Sequence, residues 1–225
     1  MRSSLHPPAP TEALPAAAEI DTPLSISTAE LVTMVAALMA LNALAIDIML
    51  PALDAIATDL GVVGGNDQQL VVVAYILGFG VPQLVWGPLS DRFGRRPVLF
   101  VSLIGYTLAG LACLATQSFE QLLMARFVHG VFASGCRVVA VAVVRDLFAG
   151  RGMARIMSLV MTIFMVVPIL APMLGQGVLL IAPWRWTFGV LVLAGFGMLA
   201  WTFLRLRETV DMDDREPRCV RAPLR

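Results

Sequence analysis

The chain of 225 residues is poor in charge and in the residues that build reactive or metal sites. Only 14% of its residues are charged, against 58% hydrophobic, where a soluble domain averages about 25% charged and about 45–50% apolar. This excludes an ordinary soluble domain, because the surplus apolar surface must face something other than water. All 16 basic residues are arginine and none is lysine, a compositional habit that carries no chemistry of its own. They are spread over short loops and match 16 acidic residues, so no basic face for nucleic acid exists. With two histidines and three scattered cysteines (Cys113, Cys136 and Cys219), neither zinc-ligand spacing nor a disulfide framework can be composed. Cys113 and Cys136 sit in apolar runs and read as small hydrophobes. No nucleotide-binding loop and no nucleophile–base set is present, so no enzyme, cofactor or metal is expected.

What is abundant is apolar sequence in long runs. Six segments, at about 31–56, 70–89, 97–116, 121–144, 156–181 and 186–204, each approach the ~20 residues that cross a bilayer core. In hydrocarbon every backbone polar group must be satisfied internally, so each is expected to be a helix. Residues 1–28 are rich in proline and alanine, lack a basic stretch before an apolar core, and read as a disordered tail, not a signal peptide. Residues 29–209 hold the spans, and 210–225 form a charged tail. With the N-terminus in the cytoplasm, thirteen of the sixteen arginines fall on the inner side and only Arg185 outside. Arg126 and Arg137 lie within a span. The bias places both termini in the cytoplasm and the chain in a cell membrane as a multi-pass protein.

A weak internal repeat relates Val81-Pro82-x-Leu84 to Val167-Pro168-x-Leu170, and Pro97 to Pro183 at the same offset. Three helices against three in inverted orientation is one way transporter halves are built. Pro51, Pro82, Pro168 and Pro172 should bend or break their helices.

The most specific pattern is Gly87-Pro-Leu-Ser-Asp91-Arg92-Phe-Gly94-Arg95-Arg96-Pro97, between spans two and three. It reads as a tight turn with one acid and three bases, its glycines permitting close helix approach or positive φ. Here the sequence resembles the major facilitator superfamily, whose loop motif G-x-L-x-D-R-x-G-R-R/K it matches. Three further stretches extend the resemblance: Arg126-Phe-Val-His129-Gly130 with Arg145-Asp146, Asp47-Ile-Met-Leu-Pro51-Ala-Leu53, and Arg207-Glu208-Thr209. The Asp47 stretch is similar to the bicyclomycin/chloramphenicol-resistance (Bcr/CflA) drug:proton antiporters. Pro168-Ile-Leu-Ala171-Pro172-Met-Leu-Gly175-Gln176 resembles the antiporter motif of helix five, with Ala171 and Gln176 where that motif has glycines. The resemblance implies an all-α membrane protein, one six-helix half of a major facilitator fold with its 3+3 inverted repeat. The family carries two such halves. Two readings stay open: a half transporter completed by a homodimer or a second bundle, or an inert truncated membrane fragment.

Charges within spans mark pathways or pairs. Counting ~1.5 Å per residue puts Asp47 about 6 Å, and Arg126 about 7–8 Å, from the outer edge of the core. At that common depth they could pair, with Asp47 as the proton-responsive group and Arg126 tuning it, or form a static ion pair. His129 and Arg137 follow Arg126 on nearly one face of span four. His129 reads as packed or hydrogen-bonded, and Arg137 as either an anion ligand or a snorkelling side chain. Tyr75, Gln83 and Gln176 could line a substrate cavity. The resemblance implies that Asp91 and Arg145 join a charge cluster locking one face. Expected partners are the lipid bilayer, a small amphipathic drug-like substrate and protons.

Overall fold

In the computed structural model, residues 27–62 and 64–205 are described. Val63, both tails and Arg207-Glu208-Thr209 lie outside the described residues. Nine α-helices occur among those described: α1 (Thr28–Asp47), α2 (Leu53–Asp59), α3 (Leu70–Gly80), α4 (Gln83–Phe93), α5 (Arg95–Ala115), α6 (Phe119–Leu147), α7 (Gly150–Phe164), α8 (Val167–Ile181) and α9 (Arg185–Arg205). Three pairs join end to end, giving six spans long and apolar enough to cross a membrane when the bent α3–α4 pair counts as one. The chain is an all-α, multi-pass membrane protein.

The breaks inside spans follow the prolines. Pro51 has no N–H to return to Asp47, and the ladder fails just before it. Met49 N–H bonds Ile46 O (3.4 Å), not Ala45 O, and a 3₁₀ turn, Leu50–Ala52, leads into α2. Pro82 likewise separates α3 from α4, which are bent by 41°. Pro168 stands at the start of α8, one turn past the α7 end. Pro172 and Pro88 are carried inside α8 and α4.

The helices run further than the apolar segments that announce them. The expected polar link over residues 145–155 is mostly helical, interrupted only at Phe148 and Ala149, and the link at 90–96 is broken only at Gly94. Hydropathy marks the edge of the hydrocarbon, whereas arginine is a good helix former and the ladder continues into the headgroup region. At 29 residues, α6 is about 43 Å long, well beyond a ~30 Å core.

Long α6 is the structural axis, touching α1, α3, α4, α5 and α7. Its contact with α3 is set by two glycines. A Cβ on Gly78 would strike the carbonyl oxygen of Phe127, and one on Gly130 the carbonyl oxygen of Tyr75, so the two backbones touch directly. Gly94 has φ +97°, a left-handed value suited to glycine, and turns α4 into α5. Gly87 meets neither expectation. It has ordinary φ, and a Cβ there would meet nothing within 4 Å.

The bundle closes at one end through Glu30 and Arg205, whose side chains meet twice at 2.6 Å, with Trp201 Nε1 donating to the same carboxylate at 3.5 Å. At the other end Asp59 accepts from Arg185 (2.5 Å) and Trp184 (3.1 Å). The α7–α8 pair is the loosest part, burying only Ile156, Val160, Ala171 and Gly175.

Gly130→Ala should lower stability by about 1–3 kcal/mol, the usual cost of overpacking a tight contact, whereas Gly87→Ala should leave it unchanged. Thermal unfolding of the two variants in detergent compares them directly.

Candidate functional site

The interior of the bundle holds a guanidinium. Arg126, about two turns into α6, is fully buried. Its Nη2 donates to Ala45 O at 3.0 Å and its Nε to Val71 O at 3.3 Å. Nη1 approaches His129 Nδ1 at 3.5 Å. The cation also lies 4.4 Å from the Tyr75 ring centroid and 5.7 Å from that of Phe188. Tyr75 in turn donates its hydroxyl to Asn42 Oδ1 at 3.0 Å. His129 packs against Tyr75 and Tyr106, with ring centroids 5.5 and 4.2 Å away, and its Nε2 has no partner among the described residues.

Helix geometry explains why Arg126 finds carbonyls there. The break before Pro51 leaves Ala45 O without its usual donor, Met49 N–H. Exposed carbonyls at a broken helix are strong acceptors for a cation in a low dielectric. The two aromatic faces add about 2 kcal/mol each when desolvated.

The equal depth of Asp47 and Arg126 holds, since Arg126 reaches a carbonyl two residues before Asp47. The expected ion pair does not form. Among the described residues no ion pair joins them, because the guanidinium is spent on Ala45, Val71 and His129. Asp47 is half-buried at the last position of α1. Across from this break, Gly175 of α8 packs so closely that a Cβ would meet Ile48 O and Pro51, and Ala171 is fully buried. The small residues of the helix-five motif therefore close onto α1 next to Asp47, while Pro172 is half-buried and Pro168 and Gln176 are exposed. Tyr75 does not line an open cavity as expected. It is fully buried, held by Asn42 and the Arg126 face.

A second polar group lies at the end of the bundle that carries the α4–α5 turn. Its hub is Arg95, bonded to Asp91 (2.5 Å), Asp146 (2.8 Å) and Ser90 Oγ (2.6 Å). The Arg95 side chain is 7% exposed, Asp146 23% and Asp91 58%. The cluster anticipated around Asp91 and Arg145 thus forms around Arg95, with Asp146 as its more sheltered carboxylate. Arg145 is exposed and makes no ion pair among the described residues. One helical position decides this: on a helix, neighbours diverge by about 100°, so Asp146 faces α5 and Arg145 does not. The adjacency of Arg145 and Asp146 in sequence was the only available signal. Arg92 stacks on Phe93 and Arg96 on Phe100. Arg137 lies over Phe79 at 5.8 Å and shares a cleft with Gln83, Ser90, Arg95 and Arg145.

Comparison with known proteins gives a consistent picture. The family model described as Major Facilitator Superfamily matches residues 35–223. An uncharacterized MFS-type transporter, YdgK of Bacillus subtilis, is 37% identical over 87% of this chain and 48% of its own length. The multidrug resistance protein MdtL of Klebsiella pneumoniae is 34% identical over 77% and 44%. The bicyclomycin resistance protein homolog of Haemophilus influenzae is 34% identical over 76% and 43%. The chain spans about half the length of the curated relatives it matches. Among solved structures, the human organic anion transporter MFSD10 superposes with a TM-score of 0.66 at 24% identity, over 85% of this chain and 50% of that one. A bacterial homolog of the lysosomal transporter Spinster, inward-facing, gives 0.69 at 15% identity, over 80% and 43%. At these identities the structures speak for the fold.

Arg126→Lys should destabilise the bundle by about 2 kcal/mol, because an ammonium cannot span two carbonyls as a planar fork does. Thermal unfolding checks it. Asp146→Asn should cost more than Asp91→Asn, whose exposed pair is worth about 0–1 kcal/mol.

Proposed function

The chain belongs to the major facilitator superfamily, in its Bcr/CflA-like branch, and on that premise we propose that it is one half of a proton-coupled multidrug efflux antiporter. The observation that carries this reading is the junction of Arg126, the broken end of α1 and the half-buried Asp47. A carboxyl poised at a helix break, a few residues from an immobilised cation, can bind and release a proton without leaving the bundle. A cationic or amphipathic substrate approaching Asp47 would favour its ionised form and so displace its proton. Arg126 acts as a fixed field in this scheme, held by carbonyls instead of by Asp47 itself.

The names of the relatives support a drug-like substrate, and Gln83, Gln176 and Tyr75 are its proposed neighbours, Tyr75 through the enclosure it builds. The Asp91–Arg95–Asp146 cluster, with Arg92, Arg96 and Gly94 in its turn and Gly87 and Arg145 beside it, is proposed to lock the inner face. Breaking a compact charge cluster is a two-state event suited to gating. Loop arginines support placing that face, both tails (1–28 and 210–225) and the Glu30–Arg205 clasp in the cytoplasm, with residues 29–209 as the transporting bundle. The paired breaks at Pro82 and Pro168 support a 3+3 organisation. Alternating access needs a second bundle to rock against, supplied by a homodimer, a separately encoded half or a continuation of this chain. An inert fragment is the competing reading.

Everted membrane vesicles carrying the chain, alone or with a second six-helix bundle, should take up an amphipathic cationic dye when their lumen is made acidic. Absence of dye movement in both preparations would favour the inert fragment. In active vesicles Asp47→Asn should cut pH-driven movement at least tenfold at equal expression, and unchanged movement would remove Asp47 from the coupling step.

A further inference from the structure

Two arginines of α6 lack a counter-charge. Arg137 and Arg145 are eight residues apart, about 12 Å along the axis. Helical side chains lean toward the N-terminus of their helix, so the two keep roughly that spacing along one wall. Both line a single cleft of about 260 Å³ beside α4, with Gln83, Ser90 and Arg95 also in its wall. Arg95 is neutralised by Asp91 and Asp146. Ser90 has its hydroxyl committed to Gly87 O and Arg95, and Gln83 donates to Phe79 O. No carboxylate lines the cleft. Among the described residues Arg145 has no hydrogen-bonding or ionic partner, and Arg137 has only the face of Phe79.

Two guanidiniums sharing one partly enclosed space repel each other, and that repulsion grows as water thins. An oxyanion between them reverses the sign. Guanidinium forks match tetrahedral and planar oxyanions with paired N–H donors. The cleft volume falls below the ~300–1,000 Å³ of drug-sized pockets, so it suits a compact anionic group better than a drug. Arg145 stands two residues from the end of α6, and basic pockets between the ends of membrane helices take anionic lipids.

We infer that the cleft between α4 and α6 is an anion site in which Arg137 and Arg145 hold a phosphate-class oxyanion, delivered either as the phosphodiester of an anionic lipid or as inorganic phosphate. This site stands apart from Asp47 and does not depend on the chain being a transporter.

The full chain, purified in a non-ionic detergent, can be titrated with phosphatidylglycerol, with phosphatidylcholine of the same acyl chains, and with inorganic phosphate, the adducts being read by native mass spectrometry. Phosphatidylglycerol should bind at concentrations at least tenfold lower than phosphatidylcholine. Arg137→Gln and Arg145→Gln should each weaken it about tenfold, while Arg151→Gln, at an exposed position on α7, leaves it unchanged. The Arg137→Lys/Arg145→Lys pair, which keeps the charge, should retain the lipid preference. Binding of inorganic phosphate with the same arginine dependence, and no preference among lipids, would identify the free anion as the source. Equal binding of both lipids with no phosphate adduct, or equal loss in Arg151→Gln, would overturn the inference.

Discussion

A buried guanidinium without a carboxylate is the constraint around which this bundle is organised. Desolvating an arginine costs several kcal/mol, and something must offset that cost. Here the offset is backbone: Ala45 O and Val71 O, with the Tyr75 and Phe188 rings close by. Just before Pro51 the ladder of α1 fails, and Ala45 O, without Met49 N–H, is open to the guanidinium. For Val71 and Tyr75 to come within reach, α3 has to lie directly on α6, which Gly78 and Gly130 allow. The proline, the two glycines and the arginine therefore form one device spread over three helices. Each of them looks unremarkable in isolation.

The sequence shows the spans, the prolines and the turn motif plainly, because these are read from hydropathy and from residues with a fixed backbone effect. Six apolar runs became six spans, and Gly94 became a left-handed turn. Depth was also legible: counting residues placed Arg126 level with Asp47, and it bonds two positions away. Partner choice was not. Opposite charges at one depth suggest a pair, but the direction in which a guanidinium points depends on which carbonyls a distant helix break leaves open. The same limit applies to Arg145 and Asp146, adjacent in sequence and divergent on the helix. Arg95, read only as one of three basic turn residues, proved to be the hub because it reaches Asp146 of α6.

The two polar groups differ in kind. Around Arg126 the charge is enclosed and single, stabilised by dipoles that cannot move far. At the other end Arg95 holds two carboxylates of unequal exposure, an arrangement that small motions of α4 against α6 can rearrange at little cost. Level with Arg126, the small residues of α8 bear on α1 at its break, while most of α7 and α8 remains unburied. Burial is thus concentrated in α1, α5 and α6 and sparse in the α7–α8 pair.

The clasp between Glu30 and Arg205 has a consequence for biosynthesis. Its two partners are 175 residues apart, so at ordinary translation rates of about 5–20 residues per second Glu30 waits roughly 10–35 s for its partner. During that time the first span stands in the bilayer with its carboxylate uncompensated. The latch can close only after all the intervening spans have been inserted, so a chain that has lost or misoriented one span brings Arg205 to the opposite end of the bundle and leaves the first span unclasped.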